Sequence, residues 1–158
     1  MKRLLFILCF LLLGASSSHS QTNARGAYRN GQVWIVWQTT LPDPQTYAIY
    51  SSPTIFTSTN QAVLIGRLFK EEWSGYELKF NADDTTLTYR IPLPNGSTDT
   101  LDPDEGLFVE TVVASGTRYY AVVKYGDTVV TAANRVQVSF IYSLAERPTC
   151  YLQYSDTN

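Results

Sequence analysis

The side chains able to do chemistry are few, and their spacing is poor for it. The chain has one histidine, His19, and two cysteines, Cys9 and Cys150. A nucleophilic triad needs an imidazole that titrates near neutrality to carry the proton. Zinc, copper and haem sites draw mainly on imidazole and thiolate ligands. A serine–lysine dyad is a formal option with Lys70, Lys79 or Lys124, but nothing in the sequence sets a serine beside one of them. No glycine-rich phosphate loop is present: Gly14, Gly26 and Gly31 are scattered turn residues. Carboxylates remain. Asp102, Asp104 and Glu105, or Asp83 and Asp84, offer hard oxygen donors of the kind calcium takes. Neither group has the spacing of an EF-hand loop, and a solvated acidic loop is the competing reading. Glu71, Glu72 and Glu77 fit a two-carboxylate glycoside hydrolysis by residue type only. Trp73, Tyr76 and Tyr89 supply rings that could stack on sugar faces or, equally, pack over a core. No catalytic, cofactor-binding or metal-binding residue is assigned on these patterns.

The first twenty residues sharpen that exclusion. Lys2 and Arg3 precede an apolar run from Leu4 to Leu13, too short to span a bilayer. Ser18 and Ser20 are small residues at the spacing a signal peptidase requires before Gln21. Residues 1–20 therefore read as a secretory signal peptide, which puts the chain outside the cell, in a periplasm or on a cell surface. His19 and Cys9 leave with that leader. The mature chain keeps no histidine and only Cys150, so it forms no internal disulfide even though its compartment permits one. The fate of Cys150 is open. No later segment is long and apolar enough for a membrane span. The formal charge of -2 provides no basic footprint for nucleic acid.

The elements that must hold any site are strands. Residues 21–29 are polar and read as a flexible lead-in, and Asn30-Gly31 is a turn signal. Gln32 to Gln38 places Val33, Ile35 and Trp37 on one face and Trp34 and Val36 on the other. Apolar residues on both faces indicate a central, doubly covered strand. Further strands are expected at Tyr47–Tyr50, Ala62–Phe69 with Gly66 as a bulge, Thr86–Ile91, Leu107–Val113, Tyr119–Val123, Thr128–Thr131 and Val136–Phe140. Turn signals at intervals of about 8–12 residues mark an all-β, antiparallel sandwich or barrel. The predicted core is Val33, Ile35, Trp37, Tyr47, Ile49, Leu107, Val109, Tyr119, Ala121 and Val123. The 44% hydrophobic composition is sufficient for such a core.

The order of elements over roughly residues 28–142 resembles a fibronectin type III domain, an immunoglobulin-like β-sandwich. Val33-x-Ile35-x-Trp37 looks like its second strand, Tyr47-x-Ile49 its third, and Gly116 to Val123 its sixth. The resemblance implies that Tyr119, or Tyr120 after a one-residue shift, closes a corner through its hydroxyl against upstream backbone. The chain between Phe69 and Gly106 exceeds what the family needs. An extra hairpin between residues 70 and 105, Tyr76–Phe80 with Leu87–Ile91, would absorb it.

A second similarity is to modules that follow the signal peptide of secreted bacterial hydrolases. It rests on Gly106-Leu107-Phe108-Val109-x-Thr111 and Tyr119-Tyr120-Ala121-Val122-Val123. Together these imply a signal peptide (1–20), a lead-in (21–29), a sandwich (30–142) and a tail or linker (143–158). The implied role is a non-catalytic spacer, accessory or interaction module that takes no cofactor. Its partner would be a downstream or separate hydrolase domain, or extracellular polysaccharide. The alternatives are a carbohydrate-binding module using Trp73, Tyr76 and Tyr89, and the N-terminal fragment of a secreted esterase. Asn95-Gly96-Ser97 also spells a glycosylation sequon, meaningful in a eukaryotic secretory host.

Overall fold

The computed structural model describes residues 22–39, 46–69, 90–102 and 104–143. Residues 1–20, expected as a signal peptide, 144–158, expected as a tail or linker, and the segment 70–89 lie outside these, as does one strand of the expected hairpin, Tyr76–Phe80. Among the described residues there are nine strands, one 3-10 turn at Thr59–Gln61 and no α-helix.

The first two strands follow from the Asn-Gly signal. Strand β1 (Arg25–Arg29) and β2 (Gln32–Gln38) pair antiparallel, with Arg29 opposite Gln32. Only Asn30 and Gly31 join them, both at positive φ (51° and 79°). A two-residue turn of that hand matches the twist of the strands it joins. Residues 25–29 are thus a sheet strand, a correction to the flexible lead-in expected there. Their polar side chains hide this, because pairing satisfies the backbone whatever the side chains are.

Strand β2 is the middle of a three-stranded sheet, order β1-β2-β7, with β7 spanning Glu105–Thr111. The second sheet has the order β4-β3-β8-β9. Its strands are β3 (Thr46–Ser52), β4 (Val63–Phe69), β8 (Gly116–Lys124) and β9 (Arg135–Phe140). Every strand pairing is antiparallel. The register of β3 against β4 slips between Ile49 and Tyr50, which face Gly66 and Leu64. Ile65 is the extra residue, so the bulge lies beside Gly66 as expected.

The inner faces of the two sheets share one core. It holds Val33, Ile35 and Trp37 from β2, Tyr47 and Ile49 from β3, Tyr120 and Val122 from β8, and Val138 and Phe140 from β9. The arrangement is sandwich-like: two antiparallel layers closed on a common apolar interior. Trp37 meets Tyr47 edge-on across it, ring centroids 5.3 Å apart. Burying side chains of this size contributes about 1.5–3 kcal/mol each.

Of the predicted core, Leu107, Val109 and Tyr119 are only partly buried, and Ala121 and Val123 are buried in a different layer from the one expected. Val33, Ile35, Trp37, Tyr47 and Ile49 are fully buried here. Leu107 and Val109 are opposite Val36 and Trp34, so they face outward on the first sheet. The inner positions of β7 are Gly106, Phe108 and Glu110, opposite Trp37, Ile35 and Val33. On β8 the same one-residue shift applies. Tyr119 is half-buried, and Ala121 and Val123 are buried on the outer face of the second sheet with Ala48, Phe56 and Val130.

Both outer faces are covered. Over the second sheet, the loops before β4 and before β9 zip together. Ser58 bridges Val129, Thr59 N donates to Thr128 O, and Val130 N donates to Thr57 O. The segment 128–131 therefore makes one bridge where a strand was expected. Arg135 holds this cover down by donating to the Phe56 carbonyl. Over the first sheet lies a short hairpin, β5 (Arg90–Pro92) with β6 (Thr98–Thr100). Ile91 and, just beyond β6, Leu101 pack on Val36, with Trp34 and Leu107 beside them. An extra hairpin was expected in this region. Its described strands include Thr98–Thr100, which the sequence presents as polar connection.

Strands β1 and β9 run side by side in the same direction. Ala24 N donates to Ala133 O at one end, and the Tyr28 hydroxyl donates to Ile141 O (2.6 Å) at the other.

Gly106 allows Trp37 its position. A Cβ there would lie 2.3 Å from the indole Cε2. Gly106→Ala is expected to destabilise the fold by about 1–3 kcal/mol, the range for overpacking a filled interior. Gly116→Ala, whose Cβ meets only Phe140 at 3.9 Å, serves as the control. Urea denaturation of both variants checks this, and equal effects would refute it.

Candidate functional site

Two polar clusters interrupt the apolar faces. The first sits where the inner faces of β7 and β8 meet. Glu110 comes inward from β7 opposite Val33, and Tyr120 comes inward from β8 opposite Ser51. The Tyr120 hydroxyl donates to Glu110 Oε2 at 2.6 Å. Arg118, two residues before Tyr120 on the same strand, reaches Glu110 Oε1 at 3.4 Å. Burial raises the Tyr120 phenol above its ordinary value, and the hydrogen bond to Glu110 adds to the rise. Tyr120 stays a protonated donor. Glu110 keeps a hydrogen-bond donor on the inner face and a guanidinium at the rim.

Beside this cluster the 112–115 loop and its neighbours frame a shallow groove of about 260 Å³. Pro53, Glu110, Arg118 and Phe140 border it. Ser115 Oγ there accepts from Tyr142 N at 2.8 Å. These groups can hydrogen-bond and ion-pair with a visiting polar group. They supply no activated nucleophile.

The second cluster clamps the hairpin. Arg25, on the outer face of β1, donates to Asp99 Oδ2 at 3.1 Å and to Glu105 Oε2 at 2.9 Å. Asp102 N donates to the same Glu105 oxygen at 3.1 Å. Glu105 is buried, and desolvation lifts its carboxyl above the ordinary value despite the Asp102 amide and Arg25. Asp99 moves the other way. The Thr100 amide, then Arg25, stabilise its charged form.

The residues singled out from the sequence fare unequally. Trp73, Tyr76 and Tyr89, the sugar-stacking candidates, lie outside the described residues. So do Lys70, Lys79, Asp83, Asp84, Glu71, Glu72, Glu77 and Cys150. Asp102, Asp104 and Glu105 are not brought together as a calcium cage, since the Glu105 carboxylate faces Arg25. Among the described residues, no three His, Cys, Asp or Glu side chains gather to hold a metal. No helix among them is long and apolar enough to cross a membrane. Of the two tyrosines considered for a corner, Tyr120, the competing assignment, is the buried one, and its acceptor is a carboxylate ten residues upstream. The backbone acceptor implied by the resemblance is not the one used. Glu110 and Arg25 carry the two clusters, and the sequence reading singled out neither. A charged residue in the middle of an apolar strand was the available signal for Glu110. Arg25 had no signal without the pairing of β1.

No protein-family model, curated protein or solved structure matches the chain.

Two measurements test the clusters. Tyr120→Phe should cost about 1.5–3 kcal/mol, the range for a hydrogen bond to a charged group. Combined with Glu110→Gln it should be strongly non-additive, and additive losses in the double-mutant cycle would dismiss the coupling. For Glu105, the folded state holds the proton more tightly than the unfolded chain, whose value is near 4.5. Its contribution to stability is full below that value and is lost as pH rises through the raised one. Unfolding curves across pH should show the stability of the parent falling relative to Glu105→Gln as pH climbs through this window, then a constant difference. A rising difference would contradict the desolvation argument.

Proposed function

We propose that the chain is an exported, non-catalytic β-sandwich module of the fibronectin type III kind. It acts as a spacer, accessory or interaction domain outside the cell. The observation that carries this reading is the strand order. With the β5–β6 hairpin set aside, seven strands remain, the first, second and fifth in one sheet and the fourth, third, sixth and seventh in the other. The immunoglobulin constant type has the same division except that its fourth strand lies on the opposite sheet. In that count β2, β3 and β8 are the second, third and sixth strands, the positions their sequences resemble. The hairpin then falls in the one stretch where the chain is longer than the family needs. Tyr120 is buried, as a corner residue would be, but its hydroxyl goes to the Glu110 carboxylate and not to backbone, which sets this sandwich apart from the family pattern.

Export rests on the leader sequence. The non-catalytic role rests on the lack of histidine after residue 20 and on the tied state of the two polar clusters. A partner hydrolase or an extracellular polysaccharide is the class of contact this module would serve.

Purified secreted chain should begin at Gln21 by mass spectrometry and turn over neither ester nor glycoside substrates. Hydrolysis by the chain alone would overturn the non-catalytic reading. Titration with polysaccharides separates the spacer from a carbohydrate-binding module: saturable binding that Trp73→Ala removes would favour the latter.

A further inference from the structure

The chain has two Asn-Gly pairs, Asn30-Gly31 and Asn95-Gly96, and the fold treats them differently. Gly31 is buried, and its carbonyl accepts from Val112 N at 3.0 Å. Asn30 is fixed between two ladder-paired residues, Arg29 and Gln32. The first pair is therefore built into the sheet on both sides.

The second pair sits at the tip of the β5–β6 hairpin. Asn95, Gly96 and Ser97 are all exposed, and nothing lies within 4 Å of a Cβ built on Gly96. The Asn95 side-chain carbonyl accepts twice, from Ser97 N at 3.1 Å and from Ser97 Oγ at 2.7 Å. Two donors on Oδ1 withdraw electrons from Cγ and are placed to stabilise negative charge developing on that oxygen, as in an oxyanion hole. The neighbouring nitrogen belongs to a glycine, so no side chain shields it.

We infer that Asn95 is a self-modification site, where the Gly96 main-chain amide displaces the side-chain ammonia. The Gly96 nitrogen loses its proton to hydroxide and attacks Asn95 Cγ. The N–Cγ bond forms and the Cγ–Nδ2 bond breaks. Nδ2 takes a proton from water and leaves as ammonia. The product is a five-membered succinimide. Water then adds to one of its two carbonyls and opens the ring, leaving aspartate or isoaspartate at position 95. No oxidant or reductant is required.

Attack requires release of the Gly96 N–H, which donates to Leu93 O at 3.0 Å. Among the described residues the hairpin has three residues per strand, and its exposed tip lies beyond the Ile91, Leu101 and Arg25–Asp99 contacts that anchor its base. A two-stranded tip of exposed residues beyond such an anchor opens locally at low cost. The Asn30 turn lies in a three-stranded sheet and lacks that freedom. Ring opening to isoaspartate adds one backbone carbon at the tip, which disturbs the Leu93 N to Ser97 O bond closing the loop.

Peptide mapping of the folded mature chain, incubated at mildly alkaline pH, tests this. The peptide holding Asn95 should gain aspartate and isoaspartate well ahead of the one holding Asn30. In denaturant the two should react at similar rates. Gly96→Ala should abolish the product, and Ser97→Ala should slow it in the folded state only. Equal reaction at both sites in the folded chain would overturn the inference. So would a Asn95 that reacts only when the chain is unfolded.

Discussion

The contact between the Trp37 indole and the bare backbone of Gly106 fixes how the two sheets meet. The indole belongs to the central strand of the three-stranded sheet and touches Tyr47 on the other. It reaches that place because its cross-strand neighbour has no side chain. A Cβ at position 106 would collide with the ring atoms, and the interior has no slack to absorb the shift. The parity of β7 follows. With Gly106 facing inward, Phe108 and Glu110 must face inward too, while Leu107 and Val109 point away.

That parity sets the polar chemistry. An inward Glu110 would be costly without partners, because burying a charge is tolerable only where it is paired and hydrogen-bonded. Tyr120 and Arg118 meet the requirement from the facing sheet. The outward side has a complementary problem. Trp34, Val36 and Leu107 on one sheet, and Ala48, Ala121 and Val123 on the other, would leave both outer faces apolar. Each is covered by polar chain carrying a few apolar plugs: Ile91 and Leu101 on one side, Phe56 and Val130 on the other. Arg25 and Arg135 tie these covers down.

Much of the layout was legible in the sequence, for identifiable reasons. Strand β2 was legible as a central strand because its apolar run is bounded by Gln32 and Gln38, and the resemblance of Val33-x-Ile35-x-Trp37 to a sandwich's second strand chose its inner face. Asn30-Gly31 announced its turn because few other residues tolerate positive φ in succession. In β7 and β8 both faces are apolar, so periodicity alone could not choose between them. The true inner face of β7 reads Gly, Phe, Glu, which looks less like a core than Leu107 and Val109. Only the partners across the core, Trp37 and Tyr120, make a glycine and a glutamate the fitting residues there. Strand β1 was missed because its place depends on the edge of β2 and not on its own side chains. The Arg25 clamp was unreadable for the same reason, since it joins residues separated by most of the fold.

The side-by-side course of β1 and β9 bears on how the molecule carries load. Entry near Ala24 and exit near Ile141 lie at opposite ends of these two neighbours. The span is roughly 20 Å for six residues, at about 3.3 Å each. Tension applied between the chain ends would therefore run along the strands and at right angles to their hydrogen bonds. The ladder holding β1 to β2 would be strained as a set, in shear, and would not peel open rung by rung.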